Sequence, residues 1–421
     1  MEIWKIRGGN PLRGSVRVQG AKNSVLPIMA ASVLVPCRTE LTNCPDVRDV
    51  RASMDILRCL GCAVEQDGDA IYIDSRPLCR SAVPDALMHR MRSSFTFLGA
   101  ILGRCGEASL TRPGGCELGE RPIDLHLEAL GALGARFEET GERILCCADA
   151  GLQGTCIRLR YPSVGATENA MIAACAAKGE TVIENAATEP EIEDLQNFLR
   201  QLGAEICGAG TDTIQIRGIS PVERVAYRIM PDRIAGATIL CAAACTGGEI
   251  ELRGAVREHL GPVTQALCAM GCRMREESSA IFISAKRALR ASPVIETGPN
   301  PAFPTDAQPL LMAASLRAAG TSAFVENVFS DRFRHVEQFS RLGAEICIEG
   351  KTALVTGVRE LYGAPVLATD LRAGAALLLA GLSARGTTTV LDEGHIARGY
   401  DALDIQLRSL GAELEILREM R

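Results

Sequence analysis

Six times along this 421-residue chain a helix-like stretch ends in Leu-Gly-Ala, or close to it, and gives way to alternating residues. The copies read LRCLGCAV, LGALGARF, LRQLGAEI, LCAMGCRM, SRLGAEIC and LRSLGAEL, with glycines at Gly61, Gly134, Gly203, Gly271, Gly343 and Gly411. Their spacing of about 70 residues is longer than that of solenoid repeats. Each copy is therefore a whole supersecondary unit. Cys62 and Cys272 stand where other copies carry alanine, and Cys207 matches Cys347, which reads as small side chains filling an interior.

A second shared part precedes each of these helices. Segments such as TENAMIAACAAKGETVIENA, AGATILCAAACTGGEIELRGA and RAGAALLLAGLSARGTTTVLDEG begin apolar nearly all round, the pattern of a helix buried on every side. A glycine stops that helix, and β-branched residues open a strand. The amphipathic helix follows, then a hairpin such as AVEQDGDAIYIDS. The unit is βαβαββ, and six units predict two domains of three, each pooling three buried helices into one core. The last unit stops early, at ELEILREMR, and the opening EIWKIRG has the alternation to supply its missing strand. The expected domains are residues 22–229, carrying a loop at 111–124, and residues 1–21 with 230–421. The two crossings, near Ala21 and near Tyr227–Met230, suggest hinge closure.

Bulk properties exclude several classes. A formal net charge of -6 argues against nucleic acid as a partner. MEIWKIRGGN lacks the apolar run of a signal peptide, and stretches such as GAALLLAGL fall far short of the ~20 residues that span a bilayer. A cytoplasmic protein without membrane association is expected. Seventeen cysteines in so long a chain read as reduced thiols rather than a disulfide framework. Cys59 with Cys62, and Cys268 with Cys272, lack the second pair or the histidines that zinc requires, so no metal is expected.

Polar or ionic residues open all six buried helices: Lys22-Asn23, Arg92, Ser163-Val164-Gly165, Asp232-Arg233, Thr305-Asp306, and Thr369-Asp370 with Arg372. Capping accounts for Asp232 or Thr369. It does not account for Lys22, Arg92, Arg233 or Arg372, because a cation at a helix N-terminus opposes the dipole. A cation there is favourable when an anion lies between it and the helix end. The pattern points to a ligand with several negative charges. Thr111–Asp124, TRPGGCELGERPID, adds a thiol, Cys116, in a segment whose paired glycines read as a mobile surface loop.

These residues carry a resemblance. GAKN at Gly20–Asn23, MRSS at Met91–Ser94, PGGC with RPIDLH, SVGATEN at Ser163–Asn169, ENAATEPEI, PDRI, PAFPTD at Pro301–Asp306, ENVFSDRF, ATDLRAG and HIARGY recur in order from end to end. The chain resembles the UDP-N-acetylglucosamine enolpyruvyl transferase family. The resemblance implies an α/β (α+β) fold, a two-domain inverted α/β barrel of six βαβαββ repeats. It also implies transfer of the enolpyruvyl group of phosphoenolpyruvate to the 3-hydroxyl of UDP-N-acetylglucosamine, with no cofactor. By the same resemblance Cys116 is the acid that protonates the methylene carbon and Asp306 the base for the sugar hydroxyl. Lys22, Arg121 and Arg398 hold phosphoenolpyruvate, with Arg372 beside them. Asn23, Arg92, Arg121, Pro122, Ile123, Asp124, Leu125, Ser163, Val164, Gly165, Asp306 and Val328 meet the nucleotide sugar, and Asp370 helps closure. Two positions depart from the family pattern: Tyr161 stands where some members carry lysine, and Arg48 replaces another lysine. The alternatives are the sister enzyme acting on shikimate 3-phosphate, which does not use a PGGC loop, and a non-catalytic paralogue that binds UDP-sugars.

Overall fold

The computed structural model describes residues 1–114, 123–277, 279–286 and 288–418. They form two compact units, one of residues 1–19 with 231–418 and one of residues 20–114 with 123–230. Each unit carries three small sheets, and among the described residues five of the six sheets have four strands.

The segment from Cys156 to Ile219 shows how one sheet is made. Strand Cys156–Arg158, helix Val164–Cys175 and strand Thr181–Glu184 form a parallel crossover. Helix Pro190–Gln201 then leads to the antiparallel strands Ala204–Cys207 and Thr213–Ile219. Register places Ile183 opposite both Ile157 and Ile214, so one buried row of isoleucines crosses three strands. Every second residue faces the helices and the others face solvent.

Three sheets borrow a strand from far along the chain. Arg224–Arg228 runs parallel to Arg38–Thr42, and Arg13–Arg17 runs parallel to Glu249–Arg253. Glu2–Arg7 lies between Thr387–Asp392 and Glu413–Arg418, antiparallel to both. Trp4 and Ile6 of that strand are buried while Lys5 is exposed, so its alternation selects which face meets the core.

Three helices pack on one another at the centre of each unit: Lys22–Ala31, Phe97–Cys105 and Val164–Cys175 in one, Arg233–Thr246, Gln308–Ser315 and Leu371–Ser383 in the other. All 13 residues of Leu371–Ser383 are buried.

The repeated glycines have one structural cause. Gly61, Gly134, Gly203, Gly271, Gly343 and Gly411 all have φ between 89° and 105°, a region that side chains resist. At five of them the next residue's N–H reaches back five positions, as Cys62 to Leu57 and Ala412 to Leu407 at 3.0 Å, closing the helix in a Schellman turn. The side chain after each glycine then points inward, and Cys62, Ala135, Ala204, Cys272, Ala344 and Ala412 are all buried. Alanine or cysteine there is a matter of volume.

Ile6→Ala should cost about 2–5 kcal/mol of stability, and Lys5→Ala should stay within about 0.5 kcal/mol. Urea denaturation of both variants checks this; equal losses would mean the strand is not held by its inward face.

Candidate active site

The helix starts organise the polar side chains. In the unit of residues 1–19 and 231–418, Asp306 lies in the turn Thr305–Ala307 that leads into helix Gln308–Ser315. Its Oδ2 accepts from Arg372 Nε at 3.1 Å, and its Oδ1 accepts from an Arg332 guanidinium N–H at 3.0 Å. The side chains of Arg332 and Arg372 are 1% and 3% exposed, whereas that of Asp306 is 30% exposed. The carboxylate can be reached from solvent; its two cations cannot. Each carboxylate oxygen of Asp306 thus accepts a charge-assisted hydrogen bond from a guanidinium.

Neighbouring groups hold this set in place. Arg332 also donates to the Thr305 carbonyl at 3.1 and 2.8 Å, and it lies 3.8 Å from Asp370 Oδ1. Asp370, not Thr369, caps helix Leu371–Ser383, accepting from the Arg372 and Ala373 N–H groups at 2.9 and 3.0 Å. Asp232 caps Arg233–Thr246 in the same manner. The sequence alone leaves Thr369 open as a cap; the structure gives that task to the next residue, whose carboxylate is the stronger acceptor. Glu326, buried, receives the Thr305 hydroxyl at 3.1 and 3.0 Å and the N–H groups of Val328 and Phe329 at 2.9 and 3.1 Å, tying Val328 to the Asp306 turn.

Burial opposes the charge of Arg372, but Asp306, Tyr400 and Asp232 more than offset it and hold the guanidinium protonated. Arg372 also lies 5.5 Å from the Tyr400 ring centre. Arg398 belongs to the short turn Ile396–Arg398, which packs on the Leu371–Ser383 helix. Behind Arg332, burial pushes His335 down to about 4; Asp370 pulls it up and Arg332 reinforces the burial.

In the other unit, Lys22 is the first residue of its helix, and its Nζ lies 3.1 Å from Asp49 Oδ2, with both side chains largely buried. The carboxylate for this cation comes from the chain itself. Asn23 is the next residue of that helix, and Arg92 opens the turn Arg92–Thr96 ahead of Phe97–Cys105. The Ser163 hydroxyl accepts from the Ala166 N–H at 3.4 Å, so Val164 and Gly165 form the first turn of their helix. Ile123 is buried, Asp124 exposed and Leu125 half-buried at the start of helix Asp124–Ala132. Arg160 lies beyond the strand that ends at Arg158, and it forks Asp124 at 2.6 Å and Glu128 at 2.8 and 3.0 Å. Tyr161 is exposed. The strand before the loop ends at Thr111. Cys116, Arg121 and Pro122 lie outside the described residues.

Sequence reasoning did not single out Asp49, Glu326 or Arg332. Asp49 is 27 positions from Lys22, and no local spacing marks such a pair. Glu326 and Arg332 both fall inside ENVFSDRF, the signal that could have found them. Among the described residues no group of three or more His, Cys, Asp or Glu is placed to hold a metal ion, and no helix is long and apolar enough to cross a membrane.

A family model described as EPSP synthase (3-phosphoshikimate 1-carboxyvinyltransferase) matches residues 6–406. A protein of Caldanaerobacter subterraneus named UDP-N-acetylglucosamine 1-carboxyvinyltransferase 2 is 47% identical over 414 residues, covering 98% of this chain and 99% of its own. The UDP-N-acetylglucosamine 1-carboxyvinyltransferase of Lawsonia intracellularis is 44% identical, with both chains covered in full. This chain belongs to the UDP-N-acetylglucosamine 1-carboxyvinyltransferase family. Among solved structures, the enolpyruvyl transferase NikO of Streptomyces tendae superposes with a TM-score of 0.89 at 27% identity, covering 99% of this chain and 98% of its own. EPSP synthase of Acinetobacter baumannii superposes at 0.73 with 20% identity, covering 99% and 100%, which shows the shared fold alone. The UDP-N-acetylglucosamine 1-carboxyvinyltransferase family thus has the enolpyruvyl transferase fold in this chain, as the resemblance implied.

His335 gives a pH test of the buried network. Its native value of about 4 lies below the usual 6.5, so between these values the unfolded chain binds a proton that the native ring refuses. Stability from this residue is therefore present above pH 6.5 and is lost as pH falls toward 4. Urea midpoints measured from pH 7.5 to 5 should fall more steeply for the unaltered protein than for His335→Gln; parallel curves would refute the assignment.

Proposed function

We propose that this chain transfers the enolpyruvyl (1-carboxyvinyl) group of phosphoenolpyruvate to the 3-hydroxyl of UDP-N-acetylglucosamine, releasing phosphate. This is the first committed step of peptidoglycan synthesis, carried out in the cytoplasm. The observation that carries the reading is end-to-end identity of 44–47% with relatives bearing that name. The placement of Asp306 between two buried guanidiniums, open to solvent on its remaining side, supports it.

The reaction is an addition followed by an elimination. Cys116 gives a proton to the methylene carbon of phosphoenolpyruvate, and the central carbon becomes electrophilic. The sugar hydroxyl attacks that carbon, its proton passing to Asp306. Phosphate then leaves as the methyl group returns a proton to the Cys116 thiolate and the double bond re-forms, and Asp306 gives up its proton to solvent. A thiol is a suitable acid at neutral pH. Lys22, Arg121 and Arg398, with Arg372 beside them, take up the charge of phosphate and carboxylate as the carbon–oxygen bond breaks. Asn23, Arg92, residues 121–125, Ser163–Gly165 and Val328 hold the nucleotide sugar, and Asp370 keeps the Arg372 turn in shape.

In this reading Asp306 orients the sugar hydroxyl first and takes the proton only as the new carbon–oxygen bond forms.

Phosphate release assayed with each acceptor tests the reading: turnover is expected with UDP-N-acetylglucosamine, and activity with shikimate 3-phosphate alone would overturn it. Cys116→Ser and Asp306→Asn should each lower turnover about 10²- to 10⁴-fold while UDP-N-acetylglucosamine binding persists in Cys116→Ser. An epoxide phosphonate resembling phosphoenolpyruvate should alkylate Cys116; mass spectrometry placing the label on another residue would contradict the loop thiol as the reactive group.

A further inference from the structure

Asp306 follows a stretch, residues 298–304, that carries no helix or strand, and two consecutive residues hold that stretch at its two ends. They are Glu326 and Asn327, just beyond the strand Thr321–Val325. Asn327 holds the beginning: its backbone N–H donates to the Thr297 hydroxyl at 3.0 Å, and its Nδ2 donates to the Thr297 carbonyl at 3.1 Å. Glu326 holds the end, where the Thr305 hydroxyl donates to its two oxygens at 3.1 and 3.0 Å. Between these points the Gly298 N–H donates to the Phe303 carbonyl at 3.2 Å, so the stretch closes on itself.

Thr305 is therefore gripped twice, at its hydroxyl by Glu326 and at its carbonyl by Arg332. The turn that follows is closed by the Ala307 N–H, which donates to the Pro304 carbonyl at 2.9 Å. Asp306 lies inside that turn, so its backbone has little freedom left. The same Glu326 carboxylate also accepts from the Val328 and Phe329 N–H groups, through Oε1. Its donors are thus a hydroxyl and two amides, and the side chain is buried. For stability alone an apolar pair of similar shape at residues 305 and 326 would serve about as well. What the carboxylate adds is direction, because each donor must point at it.

We propose that Glu326 is a positioning residue for the reaction: through the Thr305 hydroxyl it sets where the Asp306 carboxylate stands, and through the Val328 and Phe329 N–H groups it ties that position to the neighbouring segment. This rests on the reading of Asp306 as the base. The two guanidiniums of Arg332 and Arg372 orient the carboxylate of Asp306, and Glu326 fixes the backbone that carries it. A base displaced by a fraction of an ångström from the hydroxyl it serves loses rate rather than substrate affinity. Asn327 is the second half of the brace, since it keeps the other end of the stretch on the same strand.

The experiment uses the full chain and steady-state kinetics. Thr305→Val keeps the branched side chain and removes the donor to Glu326, whereas Thr305→Ser keeps the donor. In Thr305→Val kcat should fall about 10- to 100-fold, the range for one hydrogen bond to a charged group. KM for phosphoenolpyruvate should change by less than about threefold, and Thr305→Ser should recover most of the loss in kcat. The decisive comparison repeats Thr305→Val in an Asp306→Asn background. There the second change should cost less than about twofold, because its effect passes through the carboxylate already removed. Equal losses in the two backgrounds, equal losses in the valine and serine variants, or an unchanged kcat in a folded Thr305→Val would each sink the proposal. Should Thr305→Val fail to fold, Glu326→Gln takes its place in the same cycle: it retains an acceptor for the two N–H groups, weakens the bond from Thr305, and should lower kcat about 3- to 10-fold in the unaltered background alone. Full turnover by Asp306→Asn by itself would instead remove the base reading on which the proposal rests.

Discussion

A helix buried on every side can present chemistry only at its ends. Val164–Cys175, Arg233–Thr246 and Leu371–Ser383 have almost no exposed flank, so their polar groups gather in the first turn and the residues just before it. Four unpaired N–H groups at each start must also be satisfied. Asp232, Asp370 and Ser163 meet part of that demand as caps. What the core forbids along the helix, the helix start must supply.

The same constraint explains why the cations are so heavily partnered. A guanidinium withdrawn from water is costly unless carboxylates and carbonyls surround it. Arg332 has Asp306, Asp370 and the Thr305 carbonyl, and Arg372 has Asp306 with Tyr400 and Asp232 nearby. Lys22 has Asp49. Such pairs give rigidity and direction rather than large net stability. Asp306 is the member left partly open, and its direction is set by groups that water does not reach.

What the sequence reveals follows the range of each signal. The Leu-Gly-small repeat is legible because its cause is local, a backbone conformation that glycine alone adopts readily followed by a side chain with little room. Helix starts are legible for the same reason. Strand partnership is not: Arg13–Arg17 and Arg224–Arg228 alternate like other strands, yet nothing in their composition names Glu249–Arg253 or Arg38–Thr42 as neighbours. The site divides along the same line. Asp306, Lys22 and Arg372 stand at helix starts, while Asp49 reaches Lys22 and Arg332 reaches Asp306 from other elements. Asn169 lies inside SVGATEN, but the N–H it accepts from belongs to Gly99, 70 positions away.

The placement of Glu2–Arg7 bears on how the molecule is made. This strand is synthesised some 380 residues ahead of the first of its two neighbours, Thr387–Asp392 and Glu413–Arg418. The unit of residues 20–230 contains all of its own strands and can mature while translation continues. Glu2–Arg7 must wait, with Trp4 and Ile6 uncovered, until the final sheet exists to receive it. The nascent chain therefore carries this apolar strand uncovered through most of elongation, and chaperone demand should fall there rather than on the unit of residues 20–230.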